Sequence, residues 1–133
     1  MTIISKETLF FMVIDDDHLN NIICQTIITR HYPQAKYITF INPAQALEYL
    51  QNANNEQPDI IFLDIHMPDV NGWSFLERFQ KLSTLQKAHI IMISSSINYK
   101  DVNGASEHPL VKDYIEKPIT IDNINKALER VLG

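Results

Sequence analysis

The chain has 133 residues, a formal net charge of -5, 45% hydrophobic residues and 20% charged residues. This length suits one domain that buries its own core, and the ordinary composition excludes disordered and fibrous classes. The acidic balance and the lack of a basic run argue against direct binding to nucleic acid or to an anionic membrane.

Five short runs rich in β-branched and aromatic residues predict five strands. In chain order they are residues 9–14, 36–41, 59–63, 89–93 and 111–115. The segments between them have the apolar spacing of helices, except for residues 97–105, which are polar and show little periodicity. The sequence therefore predicts strands that alternate with helices.

Four helices stand out in this pattern. Asn42 is expected to cap the second helix, with Pro43 in its first turn, and Thr120 is expected to cap the last one. Residues at helical spacing are expected to face the core. They are Leu19, Ile22, Ile23 and Ile27 in the first helix, Ala46, Leu47 and Leu50 in the second, Trp73, Leu76 and Phe79 in the third, and Ile124, Ala127, Leu128 and Val131 in the last.

The alternation of strands and helices also predicts the fold class. Strands that are apolar on both faces and joined by crossover helices form a parallel sheet covered on both sides. We expect a single α/β domain with a doubly wound, five-stranded sheet in the flavodoxin-like order 2-1-3-4-5, an order assumed from the class. Such sheets bind ligands beyond the carboxyl ends of the strands where the order reverses, here between strands 1 and 3.

Acidic residues follow both of these strands. Asp15 and Asp16 close the first strand and Asp64 closes the third. Converging carboxylates repel one another unless a cation neutralises them or the site uses them chemically, and Mg²⁺ prefers such oxygen ligands. The pattern predicts a magnesium site, although an acidic run can also be a solvated loop. Asp17 is expected to serve only the start of the first helix.

An aspartate over magnesium can accept a phosphoryl group, and the transfer needs a nearby cation and hydrogen-bond donors. Lys117, which follows the last strand, is a candidate for the cation. Ser94, which ends the fourth strand, is a candidate hydroxyl donor. A solvated lysine and a polar serine turn are the alternatives.

Together these stretches resemble the receiver domain of bacterial two-component response regulators. The resemblance is carried by residues 13–17, 63–72, 91–95 and 114–118. The spacing Asp-x-x-Met-Pro-x-x-x-Gly in the second stretch is specific, and the ordered set is more so. We expect residues 9–133 to form a stand-alone receiver domain, similar to a chemotaxis regulator, after an N-terminal extension at residues 1–8.

The resemblance implies a role for each candidate residue. Asp64 would accept phosphoryl from a sensor histidine kinase or a histidine phosphotransfer protein, and Ser94 and Lys117 would contact the phosphoryl oxygens. Tyr114 would switch with Ser94 and change the surface around the last strand and its flanking helices, where an unknown protein target would bind. The implied magnesium ligands are Asp15, Asp16 as the direct ligand, Asp64 and the backbone carbonyl of His66.

Some features of the family pattern remain open. Ser94 stands where threonine is commoner in the family, and His66 and Ser96 occupy positions that tend to influence phosphoryl lifetime. Glu116, beside Lys117, either faces solvent or weakens the positive field of the pocket. The resemblance implies no enzyme in the turnover sense, because a receiver catalyses only its own phosphorylation and dephosphorylation.

Two alternative functions come from other classes. A magnesium-dependent phosphatase of the haloacid dehalogenase type would need Asp-x-Asp-x-Thr after the first strand, and neither Asp15 nor Asp64 begins that motif. A binding module that works without phosphorylation would not need the acids, the hydroxyl and the lysine together.

Cys24 is the only cysteine and lies in an apolar helical pattern, so we expect a small core residue in a reducing cytoplasm. No apolar run approaches the roughly 18 residues of a membrane span. The five histidines show no His-x-x-x-His spacing, which argues against a histidine metal centre.

Overall fold

The computed structural model describes residues 9–67, 71–82, 86–95 and 108–133. The proposed extension at residues 1–8, the segment 97–105 and Ser96 lie outside the described residues. Among the described residues a helix follows each of the first three strands and the fifth, as predicted, and the strand bounds differ from the predicted ones by one residue at most. The described elements are β1 (Phe10–Ile14), α1 (His18–His31), β2 (Lys36–Phe40), α2 (Pro43–Gln51), β3 (Ile60–Asp64), α3 (Gly72–Gln80), β4 (His89–Ser94), β5 (Val111–Glu116) and α4 (Ile121–Leu132).

The five strands form one parallel sheet in the order β2-β1-β3-β4-β5, which confirms the predicted class and order. The reversal of strand order lies between β1 and β3. Ile14 pairs with Leu63 in the register of these two strands. Asp15 and Asp64 each follow a member of that pair and therefore lie at the same rim of the sheet.

Successive residues of β1 pack into opposite layers, because side chains alternate between the two faces of a strand. Phe11 and Val13 lie in a core with α1 and α4, whereas Met12 and Ile14 lie in a second core with α2 and α3. Both β1 and β3 are buried along their whole length. The acidic rim is thus attached to the two most enclosed strands.

Helix α1 does not present the face that the apolar stripe predicts. Leu19 and Ile22 are 67% and 60% exposed, and the stripe prediction is wrong for these two residues. Ile23 and Ile27 are half-buried. The helix is turned by about one residue, roughly 100°. The residues that it buries are Asn20, Asn21, Cys24 and Ile28.

The other three helices follow their predicted faces. Asn42 accepts a hydrogen bond from the amide of Ala44 at 2.8 Å, and Thr120 accepts one from Asn123 at 3.1 Å, as expected for caps. Trp73 and Val131 are half-buried. The buried predicted positions are Ala46, Leu47 and Leu50 in α2, Leu76 and Phe79 in α3, and Ile124, Ala127 and Leu128 in α4.

Within the described ranges, every helix is too short or too polar to cross a lipid bilayer.

Candidate functional site

Three carboxylates converge at the carboxyl ends of β1 and β3. Asp15, Asp16 and Asp64 each offer an oxygen atom, and these atoms all lie within 4.8 Å of one another. Asp15 and Asp64 are buried, whereas Asp16 is exposed. The fold therefore brings together the three acids that the sequence singled out.

Lys117 reaches into this cluster from the end of β5. Its Nζ lies 2.8 Å from Oδ2 of Asp15 and 3.5 Å from Oδ2 of Asp64, and its side chain is only 11% exposed. The backbone N–H of Lys117 donates to the carbonyl of Ser94 at 2.7 Å, which fixes the start of the loop after β5. The peptide bond to Pro118 is cis. The lysine is thus a buried partner of two acids and not a solvated side chain.

Burial and neighbouring charges change the pKa of Asp64 and the pKa of Lys117. Burial, followed by the charge of Asp15, raises the pKa of Asp64 from 3.8 to about 7, although Lys117 and the backbone N–H of His66 act in the opposite direction. Burial by itself lowers the pKa of Lys117, but its hydrogen bond to Asp15 and the surrounding carboxylates reverse this and raise the pKa above its ordinary value. Extra positive charge at the cluster would favour ionised Asp64.

The chemistry of this donor set fits magnesium. Carboxylate oxygens are the hard ligands that Mg²⁺ takes, usually one or two of them together with waters and phosphate oxygens. When ionised, Asp15, Asp16 and Asp64 together with Lys117 leave a net negative charge that a divalent cation would offset.

The remaining predicted residues lie around this cluster at different depths. Ser94 is fully buried at the end of β4, the strand beside β3. His66 is exposed, and its backbone N–H donates to Oδ1 of Asp64 at 3.1 Å. Tyr114 is half-buried on β5 and packs against the core on the α2 and α3 side. Glu116 is exposed, as strand alternation suggested.

Two residues at the site were missed by the sequence analysis. The side-chain amide of Asn20 donates to Oδ2 of Asp15 at 2.7 Å, and that of Asn21 donates to the backbone carbonyl of Asp15 at 2.9 Å. Two adjacent amides beside an acidic run, inside an apolar helical pattern, were the available signal. Asp17 caps α1 as expected, accepting from the amides of Leu19 and Asn20.

Gly72 allows α3 to begin directly beside the end of β3. A Cβ atom at this position would lie 2.9 Å from the carbonyl oxygen of Asp64 and 3.0 Å from Cα of Ile65, closer than such atoms normally approach. The backbone N–H of Gly72 donates to the carbonyl of Ile65 at 2.9 Å. The glycine of the Asp-x-x-Met-Pro-x-x-x-Gly pattern is therefore required by contact with the site backbone.

Comparisons with known proteins agree with this geometry. The sensory transduction protein LytT of Enterococcus faecalis is 27% identical over 120 residues, which cover 90% of this chain and 46% of that protein. The DNA-binding transcriptional regulator NtrC of Proteus hauseri is 31% identical over 121 residues, covering 90% of this chain and 24% of that protein. The chain thus spans less than half the length of these curated relatives.

A solved structure and a family model cover nearly the whole chain. The crystal structure of a two-component response regulator from Cytophaga hutchinsonii has a TM-score of 0.83 at 27% identity, covering 94% of this chain and 98% of that one. The model of the response regulator receiver domain matches residues 11–129. With the predicted sheet order and the acidic rim both present, the chain belongs to the response regulator receiver domain family.

Proposed function

We propose that this chain is a phosphoacceptor that takes a phosphoryl group from a phosphohistidine onto Asp64. The observation that carries the proposal is the position of the Lys117 ammonium, which lies within 4 Å of both Asp15 and Asp64 in a largely buried acidic cluster. A nucleophilic carboxylate beside a cation and additional acidic oxygens suits phosphoryl transfer. The donor would be a sensor histidine kinase or a histidine phosphotransfer protein.

In the proposed step, a carboxylate oxygen of Asp64 attacks the phosphorus atom. The P–O bond forms while the N–P bond to the histidine breaks, and the ring nitrogen leaves with the electron pair of that bond and takes up a proton. Lys117 would hydrogen-bond a phosphoryl oxygen as charge develops there, and the Ser94 hydroxyl would donate to another. The product is an acyl phosphate on Asp64.

Mg²⁺ would be held by Asp15, Asp16 and Asp64, with the backbone carbonyl of His66 as a further ligand, and would supply positive charge to the carboxylates and the phosphoryl oxygens. Asp64 must be ionised to act as a nucleophile. Its pKa of about 7 in the protein alone leaves a large protonated fraction at neutral pH. Positive charge at the cluster would therefore raise the reactive fraction.

The surface beside the cluster suits a protein donor. A shallow cleft of about 240 Å³ lies next to Lys117, and Leu19, Ile23 and Pro118 are among the residues that line it. The neighbouring side chain of Ile22 is also exposed. Because a phosphohistidine must come within bonding distance of Asp64, we propose that the donor protein covers this apolar edge of α1.

Output would follow from a shift in population. Contacts of the phosphoryl group with Ser94 and Lys117 would favour a minor arrangement in which Tyr114 turns inward, altering the surface of β5 and its flanking helices. A protein target would bind this surface. We propose no turnover of external substrates, so the chain would catalyse only its own phosphorylation and dephosphorylation.

Incubation with acetyl phosphate and Mg²⁺ tests the proposal. We expect magnesium-dependent incorporation of one phosphoryl group, stable to acid and labile to base, and none in an Asp64→Asn variant. Asp59→Asn is a matched control, because Asp59 is a half-buried acid just before β3 and lies outside the cluster. Equal labelling of the Asp64→Asn variant and the wild type would reject Asp64 as the acceptor. Steady hydrolysis of a generic phosphomonoester would instead favour a phosphatase.

A further inference from the structure

The inward side of α1 carries an amide at a position that the predicted apolar stripe does not include. Asn20 is 4% exposed and occupies a buried helical position next to Cys24 and Asp15. An amide buried without hydrogen bonds is costly, so such a residue is normally paired. The hydrogen-bond partners of Asn20 therefore indicate the role of this residue.

The side-chain amide of Asn20 donates to Asp15 at the site and to Cys24 on its own helix. Nδ2 donates to Oδ2 of Asp15 at 2.7 Å and approaches Sγ of Cys24 at 3.7 Å. The Asp15 oxygen only accepts when ionised, so the nitrogen of the amide must face it. The orientation of the Asn20 side chain is thereby determined.

Asn20 and Lys117 share one oxygen atom. Nζ of Lys117 lies 2.8 Å from the same Oδ2 of Asp15, while Oδ1 of Asp15 accepts from the backbone N–H of Asp17 at 2.9 Å. A neutral amide supplies a hydrogen bond without cancelling negative charge. Asp15 thus has a second side-chain donor besides Lys117, and this donor brings no positive charge to the site.

We propose that Asn20 is a positioning residue that holds the carboxylate of Asp15 in place for a divalent cation and releases Lys117 to the phosphoryl group. This role rests on the proposed phosphoryl transfer. Contact with phosphoryl oxygens on Asp64 would draw the ammonium of Lys117 toward Asp64, and Oδ2 of Asp15 would then rely more on the amide of Asn20. Without the amide, the lysine would stay with Asp15 and the carboxylate would be free to rotate.

Asn21 provides a matched control on the same helix. It is also an asparagine and also buried, but its amide donates to the backbone carbonyl of Asp15 and not to the carboxylate. Asn20→Leu and Asn21→Leu each remove one buried amide from α1 at similar volume. If the role of Asn20 is only to stabilise the helix, the two variants will change the site alike.

The experiment measures Mg²⁺ affinity by isothermal titration calorimetry for the wild type and both variants, after circular dichroism has checked their folding. We expect Asn20→Leu to bind Mg²⁺ about tenfold more weakly, as is typical when a group that orients a metal ligand is removed. Asn21→Leu should lose clearly less affinity than Asn20→Leu, because the carboxylate of Asp15 keeps both Asn20 and Lys117 as partners. If Asn20→Leu does not fold, Asn20→Ala provides the same comparison with Asn21→Ala.

A double-mutant cycle with Lys117→Met separates positioning from packing. In that background the amide of Asn20 no longer shares Oδ2 of Asp15 with an ammonium, so losing it should weaken Mg²⁺ binding at least about threefold more than in the wild type. Equal losses in both backgrounds, or equal losses for Asn20→Leu and Asn21→Leu, would overturn the positioning role. If the wild type binds Mg²⁺ and is labelled by acetyl phosphate, such equal losses would still leave the proposed function standing. If the wild type binds no Mg²⁺, both fail.

Discussion

Helices α1 and α4 pack on the same side of the sheet, but different interactions determine which face of each helix is buried. Helix α4 buries Ile124, Ala127 and Leu128, as its apolar spacing predicts. Helix α1 buries Asn20 and Asn21 and leaves Leu19 and Ile22 in solvent. The hydroxyl of Tyr32, just after α1, donates to Asn125 of α4, so the two helices are direct neighbours.

The difference follows from what each helix meets at its N-terminal end. The first turns of α1 lie against Asp15, whose carboxylate and carbonyl both need donors. The buried side of α4 meets apolar side chains of the same core. A buried polar group without a partner costs more than exposing one apolar side chain, so the demand for hydrogen bonds sets the orientation of α1. Hydrogen bonding to Asp15 thus overrides amphipathic spacing in the helix nearest the acids.

The largest expected effect comes from replacing a leucine by alanine on α4, compared with the same replacement on α1. Leu128→Ala should lower the free energy of unfolding by about 3 kcal/mol, because it leaves a cavity in the core. Leu19→Ala should change it by less than about 0.5 kcal/mol, because that side chain is in solvent. Urea unfolding monitored by circular dichroism measures both. Similar losses for the two variants would mean that α1 is turned differently from the orientation described.

The negative charge of the acidic cluster should itself destabilise the folded protein when no metal is added. The folded pKa of Asp64, about 7, is raised above its ordinary value of 3.8. The folded state therefore binds more protons than the unfolded state between these values, and stability should fall as the pH rises from about 4 to about 7. At pH 8 Asp64→Asn should be more stable than the wild type by about 2 kcal/mol. This is well below the full conversion of the pKa shift, because solvent screens the cluster and the variant takes an acidic partner away from Lys117.

Saturating Mg²⁺ provides the control for this pH dependence, because a bound cation favours the ionised carboxylate and should remove most of the loss. The measurement is the free energy of unfolding in urea at several pH values, with a chelator and with Mg²⁺. A metal-free wild type whose stability rises between pH 4 and pH 7 would contradict the raised pKa of Asp64, provided that the Asp64→Asn variant lacks this rise.

A smaller effect is expected when the N-cap residue of α4 or of α1 is replaced by alanine. Thr120→Ala should cost about 1 kcal/mol, because the amide of Asn123 loses its partner. Asp17→Ala removes a cap from α1 in the same way but also removes a negative charge near the acidic cluster, so its cost without metal should be smaller. Thermal unfolding at low salt compares them. A larger loss for Asp17→Ala than for Thr120→Ala would show that repulsion at the cluster is weaker than proposed.

The smallest change in stability is expected for the exposed edge of α1, where a change in phosphotransfer should appear instead. Leu19→Asp and Ile22→Asp should alter the free energy of unfolding by less than about 0.5 kcal/mol and leave labelling by acetyl phosphate unchanged. Transfer from a cognate phosphohistidine protein should slow at least tenfold, roughly the loss of one interface anchor. Ile41→Asp, at an exposed isoleucine that does not line the cleft, is the control. Undiminished transfer in both α1 variants would place the donor on another surface.

The strands and the three acids could be predicted because both depend on local signals, whereas the sheet order was assumed from the fold class. Apolar runs mark the strands, and the parallel crossover rules carry Asp15 and Asp64 to one rim. The buried face of α1 could not be predicted from spacing, because Leu19 and Ile22 have the same helical period as a core stripe. The outcome depends on the tertiary position of Asp15, which sequence periodicity does not contain. The adjacent pair Asn20 and Asn21 was a signal that the periodic pattern outweighed.

The most direct test of the account is a crystal structure of the protein with Mn²⁺, which replaces Mg²⁺ and scatters anomalously. We expect one anomalous peak bounded by carboxylate oxygens of Asp15, Asp16 and Asp64, with Asn20 still donating to Asp15. A peak at another acidic surface, or a cluster that stays metal-free at saturating Mn²⁺ with Lys117 bridging Asp15 and Asp64, would contradict the account.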